Sequence, residues 1–135
     1  MIKLFLSINL VAALTLLFPI QSYAAGPYDG IYSVTLRYTN YVSIRENTDN
    51  NQIVAILLGG EPSENTWSAF TGIRTENSVT LDTLRGVSDD DTVAKAKVVF
   101  DNNGNATVTI LSCTDGVYYY CAYPAGISFT AQKIF

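Results

Sequence analysis

The chain has 135 residues, 12 acidic against 8 basic, a net charge of −4 and no histidine. That balance argues against nucleic acid, whose phosphates demand a basic face, and against anionic membrane surfaces. The missing imidazole removes serine–histidine, cysteine–histidine and histidine–metal chemistry together.

The N-terminus reads as an export signal. Lys3 supplies one positive charge, an uncharged Leu-rich run from Leu4 to Phe18 comes next, and Ser22 and Ala24 place small residues where signal peptidase needs them. Cleavage is therefore expected after Ala24, leaving residues 25–135 as one exported domain, periplasmic or extracellular. The apolar run is shorter than the roughly 20 residues of a spanning helix, so no membrane span is expected in the mature chain. No cysteine sits at the cut, which argues against a lipoprotein.

Beyond the signal, a period of two runs almost throughout, with β-branched and aromatic residues dominating. A first strand is predicted over 31–37, with Tyr32, Val34 and Leu36 on one face. A turn at Thr39 and Asn40 leads to a second strand over 42–45. Residues 47–51 form a loop by composition. The third strand, 53–58, is apolar on both faces and is expected to be the most buried. Gly59 to Pro62 ends it. A fourth strand over 66–74 carries Trp67, read as a core or cavity-lining residue because of its large apolar surface. Glu76 and Asn77 turn the chain into a fifth strand over 79–84, and residues 85–92 form a loop with three successive aspartates. The sixth strand, 93–100, sets Ala94, Ala96, Val98 and Phe100 against Lys95, Lys97 and Val99. Residues 101–105 are the clearest hairpin signal, because Asn and Gly tolerate positive φ. The seventh strand covers 106–113, a long loop covers 114–126, and the eighth strand covers 127–135.

Eight strands joined mostly by short turns predict an all-β domain, an antiparallel up-and-down meander closing into a small barrel. A two-sheet sandwich is the alternative. In a meander the connections alternate between two ends, so the segments 38–41, 59–65, 85–92 and 114–126 gather at one of them. Loops on a rigid scaffold are where function concentrates.

Cys113 and Cys121 are the only cysteines, and an exported chain makes a disulfide the default. The short loop it closes implies about 2.5 kcal/mol of stabilisation. The spacing is wider than a zinc knuckle and no histidine completes a zinc site, so no metal or cofactor is expected. Tyr118, Tyr119 and Tyr120 lie inside that loop and Tyr123 just outside it, with Tyr38 and Tyr41 brought to the same end. Tyrosine offers large contact area at low entropy cost, which makes these six the expected binding residues, unless the rings simply plug the barrel. The leading expectation is a non-catalytic module recognising a protein or glycan through this loop.

Two alternatives stand beside it. One is a small-molecule carrier whose cavity is lined by Tyr32, Val34, Trp67, Ala94 and Ala96. The other is a minimal outer-membrane barrel, consistent with the terminal Phe135 and an even strand count but weakened by short strands. Asp89, Asp90 and Asp91 offer oxygen donors for calcium, although a solvated acidic loop is the commoner case. Residues 101–105 fail the EF-hand pattern. Asn105 to Thr107 spell a glycosylation sequon, relevant only to a eukaryotic secretory route. Glu61 and Glu64 are the nearest candidates for paired-carboxylate chemistry, and residues three apart in a Pro-containing loop are ordinarily just solvated, so no enzyme is expected. The opening Gly30-Ile31-Tyr32 is similar to the Gly-x-Trp tripeptide that begins lipocalin-type barrels; with a different aromatic it transfers no function.

Overall fold

The computed structural model describes residues 25–59, 66–89 and 91–135. The expected signal over 1–24, the pair Glu61 and Glu64, and Asp90 lie outside the described residues. Eight strands run in chain order: β1 Gly30–Thr35, β2 Thr39–Asn47, β3 Gln52–Leu58, β4 Trp67–Thr75, β5 Ser78–Thr83, β6 Val93–Phe100, β7 Ala106–Thr114 and β8 Ser128–Lys133. Each pairs antiparallel with its chain neighbour, and β8 returns to β1 through Tyr32–Lys133 and Val34–Ala131. The sheet closes on itself as a barrel, which removes its edges and sets the sandwich aside. No helix among the described residues is long and apolar enough to cross a membrane.

Alternation decides which side chains fill the interior. Tyr32 and Val34 of β1, Ile53 and Ala55 of β3, and Val98 and Phe100 of β6 are all buried. Residues beside them on the same strands face out. Three expectations need correction. The first turn is tighter than composition implied: the Leu36 N–H donates to the Tyr38 carbonyl at 3.0 Å. Thr39 and Asn40 therefore already pair with Thr35 and Val34, because ladder formation outweighs local turn preference. β3 is not buried on both faces. Val54, Ile56 and Leu58 point outward and are 37%, 38% and 51% exposed, since nothing in a single-layer barrel covers its outer wall. Trp67 lies on that same wall, opposite Leu58, and is neither core nor cavity lining.

The end of the barrel where the chain enters β1 is closed. The Tyr28 ring stacks on Phe100 with centroids 4.0 Å apart, and the Arg74 guanidinium lies 5.4 Å from the centre of the same Tyr28 ring. The Tyr32 hydroxyl donates to the Tyr28 carbonyl at 2.8 Å. Inside this floor, Arg74 pairs with buried Glu46 at 2.6 Å.

Candidate functional site

Above the floor the barrel is not filled. A cavity of about 210 Å³ runs up its axis. Its wall is made by Val34, Val42, Ile44, Leu57, Phe70 and Leu81 on one part of the circumference and by Val108, Ile110 and Phe129 on the other. Five alanines, Ala55, Ala94, Ala96, Ala106 and Ala131, line the same space. Their small side chains keep it open: the row Leu81–Ala96–Ile110 crosses three strands with a single methyl at its centre. Among the described residues, the polar groups on the lining are the hydroxyls of Tyr32, Ser68, Thr92 and Tyr123, and no charged side chain joins them. Tyr32 is fully buried, and that burial, with Asp29, Tyr28 and Asp101 nearby, pushes its phenol up to about 12.

At its far end the cavity meets the long loop between β7 and β8, which contributes Tyr123 to the lining. The ladder between β6 and β7 slips by one residue between Lys95 and Ala96, leaving Leu111 without a partner in the register. Such a bulge reverses the facing of the residues beyond it. Cys113 consequently sits opposite Ala94, on the inward face of β7, and its disulfide to Cys121 closes the first part of the loop. The loop is then tied from three directions. Asp115 accepts the Cys121 N–H at 2.7 Å, and the Gly116 N–H donates to the Tyr119 carbonyl at 2.9 Å. Asp91, from the neighbouring loop, accepts the N–H groups of Val117, Tyr118 and Tyr119. Burial works against the charge on Asp91, but these donors outweigh it and hold the carboxyl below its usual value. The clamp requires glycine at 116, where a Cβ would collide with the Asp91 carboxylate.

The six tyrosines expected to bind separate into distinct roles. Tyr123 lines the cavity, meets Phe129 edge-on at 4.9 Å and accepts the Arg37 N–H at 3.2 Å, so it bridges the mouth from the loop to the first turn. Tyr118 and Tyr120 project into solvent, 80% and 78% exposed, with Val117 at 81%. Tyr119 is half-buried beside the clamp. Tyr38 is half-buried under the Arg37 guanidinium, 5.6 Å away. Tyr41 faces outward from β2, opposite Leu58, and belongs to the outer wall and not to the mouth. The acidic loop has a structural task as well. β5 ends before β4 does, and Ser88 and Asp89 accept the otherwise unpaired N–H groups of Ala69 and Trp67 at 2.7 and 2.6 Å.

Of the cavity lining expected from sequence, Tyr32, Val34, Ala94 and Ala96 are in place and Trp67 is not. Phe70, Phe129 and Ala131 escaped that expectation: Phe129 and Ala131 keep the two-residue spacing on β8, but on β4 the face with Ser68 and Phe70 is more polar than the face with Trp67, Ala69 and Ile73. No family model matches the chain, and neither curated proteins nor solved structures give a match to it.

Proposed function

We propose that this protein is a non-catalytic binder of a small, neutral, apolar molecule held inside the barrel. The cavity carries this reading. At about 24 cal/mol per Å³ of sealed void, 210 Å³ held dry and empty would cost at most about 5 kcal/mol against a filled core. That is large beside the roughly 5–15 kcal/mol that holds a whole domain together. Replacing any of the five alanines with a larger aliphatic residue would recover part of it, so an open interior points to a use for the space.

The lining sets the chemistry of the occupant. Benzene fills a cavity of about 150 Å³, so this one suits roughly eight to ten non-hydrogen atoms. A carboxylate or ammonium would be stripped of water with no charged partner, which favours neutral molecules. The sidedness of the barrel speaks against the outer-membrane reading. Lipid-facing barrels are apolar outside and polar within. Here the cavity wall is apolar, and Arg45, Asp82, Lys95 and Lys97 put charge on the outer wall that also exposes Val54, Ile56 and Leu58.

The test is a titration with 1-octanol and, in parallel, with octanoate, following the methyl resonances of Ala96 and Ala131 by NMR. Octanol is expected to shift both methyls saturably, and octanoate to leave them in place at the same concentration. No shift with octanol up to its solubility limit would remove the proposal. Native mass spectrometry of protein purified without refolding then identifies any resident ligand.

A second reading rests on the exposure of Tyr118 and Tyr120 on a stapled loop. A loop already held by a disulfide and by Asp91 loses little entropy on docking, which suits recognition of a protein or glycan. Capture of a partner by the wild type and not by a variant with both tyrosines changed to serine would support it; equal capture would refute it.

A further inference from the structure

Glu46 is 3% exposed, and only half of its carboxylate has a partner. Oε1 accepts the Arg74 Nε–H at 2.6 Å, while Oε2 is buried with no hydrogen bond. A buried carboxylate oxygen left without a donor is strongly unfavourable. Backbone lies directly against it: a Cβ on Gly26 would stand 2.7 Å from Oε2 and 2.5 Å from the Glu46 Cβ. Only glycine allows the chain to come this close. The approach is also held in place. The Asp29 N–H donates to the Gly26 carbonyl at 3.1 Å, closing a turn over 26–29. Asp29 in turn accepts the Glu46 N–H at 2.6 Å and pairs with Arg45 at 2.5 Å. The segment entering β1 is thus fastened against the one buried side-chain oxygen, among the described residues, that lacks a donor.

One residue before Gly26 is Ala25, the residue that becomes the N-terminus if the chain is cut where Ser22 and Ala24 direct signal peptidase. Hydrolysis of the Ala24–Ala25 peptide bond consumes one water, leaves a carboxylate on Ala24 and places an ammonium group on Ala25. We propose that Glu46 Oε2 is the seat of that new α-ammonium group. The precursor offers only an amide at this position; the processed chain offers three donors and a positive charge on the residue next to Gly26, the glycine packed against that oxygen. Closure of the barrel floor would then be completed by processing. The pairing depends on the site of cleavage and is independent of the occupant of the cavity.

The exported protein is purified and its N-terminus read by mass spectrometry, then compared with the same protein acetylated at Ala25, in the wild type and in Glu46→Gln. Acetylation is expected to lower the Tm of the wild type by several degrees and to leave that of Glu46→Gln unchanged. The free amine of the folded wild type is expected to acylate about tenfold more slowly than in the denatured chain, because pairing holds it protonated. Three results would overturn the proposal: an N-terminus other than Ala25, no effect of acetylation on the wild type, or an equal effect in Glu46→Gln. Should Glu46→Gln fail to fold, the acetylation and acylation measurements on the wild type still decide it.

Discussion

Replacing Ala96 with leucine separates an open interior from a packed one by the sign of its effect. Ala96 is 8% exposed and lies between Leu81 and Ile110 on the cavity wall. Leucine adds three carbons at this point. Buried in existing space, they contribute about 0.8 kcal/mol each, or about 2.4 kcal/mol. Fixing the new rotamer returns some 0.5–1 kcal/mol of that, leaving about 1.5 kcal/mol. For a domain of this size, that corresponds to a Tm higher by roughly 6 °C. In a filled core the same carbons would force neighbours off their rotamers and cost about 1–3 kcal/mol. Calorimetry reads the sign, and the octanol titration reads the site, where the affinity should weaken at least tenfold. A Tm lowered by several degrees, with octanol binding unaltered, would refute the reasoning.

Other perturbations address the mouth and the floor. Asp91 has a lowered pKa, so the order it confers on residues 117–119 is complete above the unfolded carboxyl value near 3.8 and is lost as the pH falls through the lower folded value. Amide exchange at Val117, Tyr118 and Tyr119 should accelerate across that acid window, and Asp91→Asn should show fast exchange already at neutral pH. Tyr32 has a raised pKa, so its contribution is whole below pH 10 and disappears as the pH climbs toward about 12. In an ultraviolet titration it should be among the last phenols to ionise, with unfolding close behind. Changing Tyr118 and Tyr120 to serine should alter stability by less than about 0.5 kcal/mol, since both rings face water. A large loss in thermal denaturation would place those rings in the core.

Periodicity carried most of the fold because a barrel strand has one inner and one outer face, and a period of two reports that directly. It failed at β3, and the reason is physical. Ile53, Ala55 and Leu57 face in, while Val54, Ile56 and Leu58 face out, so the apolar run is continuous even though only one face is covered. A run of this kind has the same appearance whether a second layer packs on the sheet or not. Trp67 misled for the same reason. Across the outer wall, Tyr41 faces Leu58 and Leu58 faces Trp67, which makes a row of large side chains where composition implied core.

The mouth could not be read from residue types because it depends on one unpaired residue. Strict alternation along β7 from Ile110 would turn Cys113 outward, and a disulfide built there would carry the loop down the outside of the barrel. Leu111 inserts into the ladder and brings Cys113 opposite Ala94 instead. From that starting point the stapled loop leads to Tyr123, which packs on Phe129 and is tied to Arg37. Nothing in the composition of β7 distinguishes Leu111 from its neighbours, since a bulge is a property of the pairing and not of the residue. The two readings of function meet at this point. The loop that offers Tyr118 and Tyr120 to solvent also sets Tyr123 on the cavity wall, so under both readings a partner docking on those rings would bear on the residue that bounds the cavity.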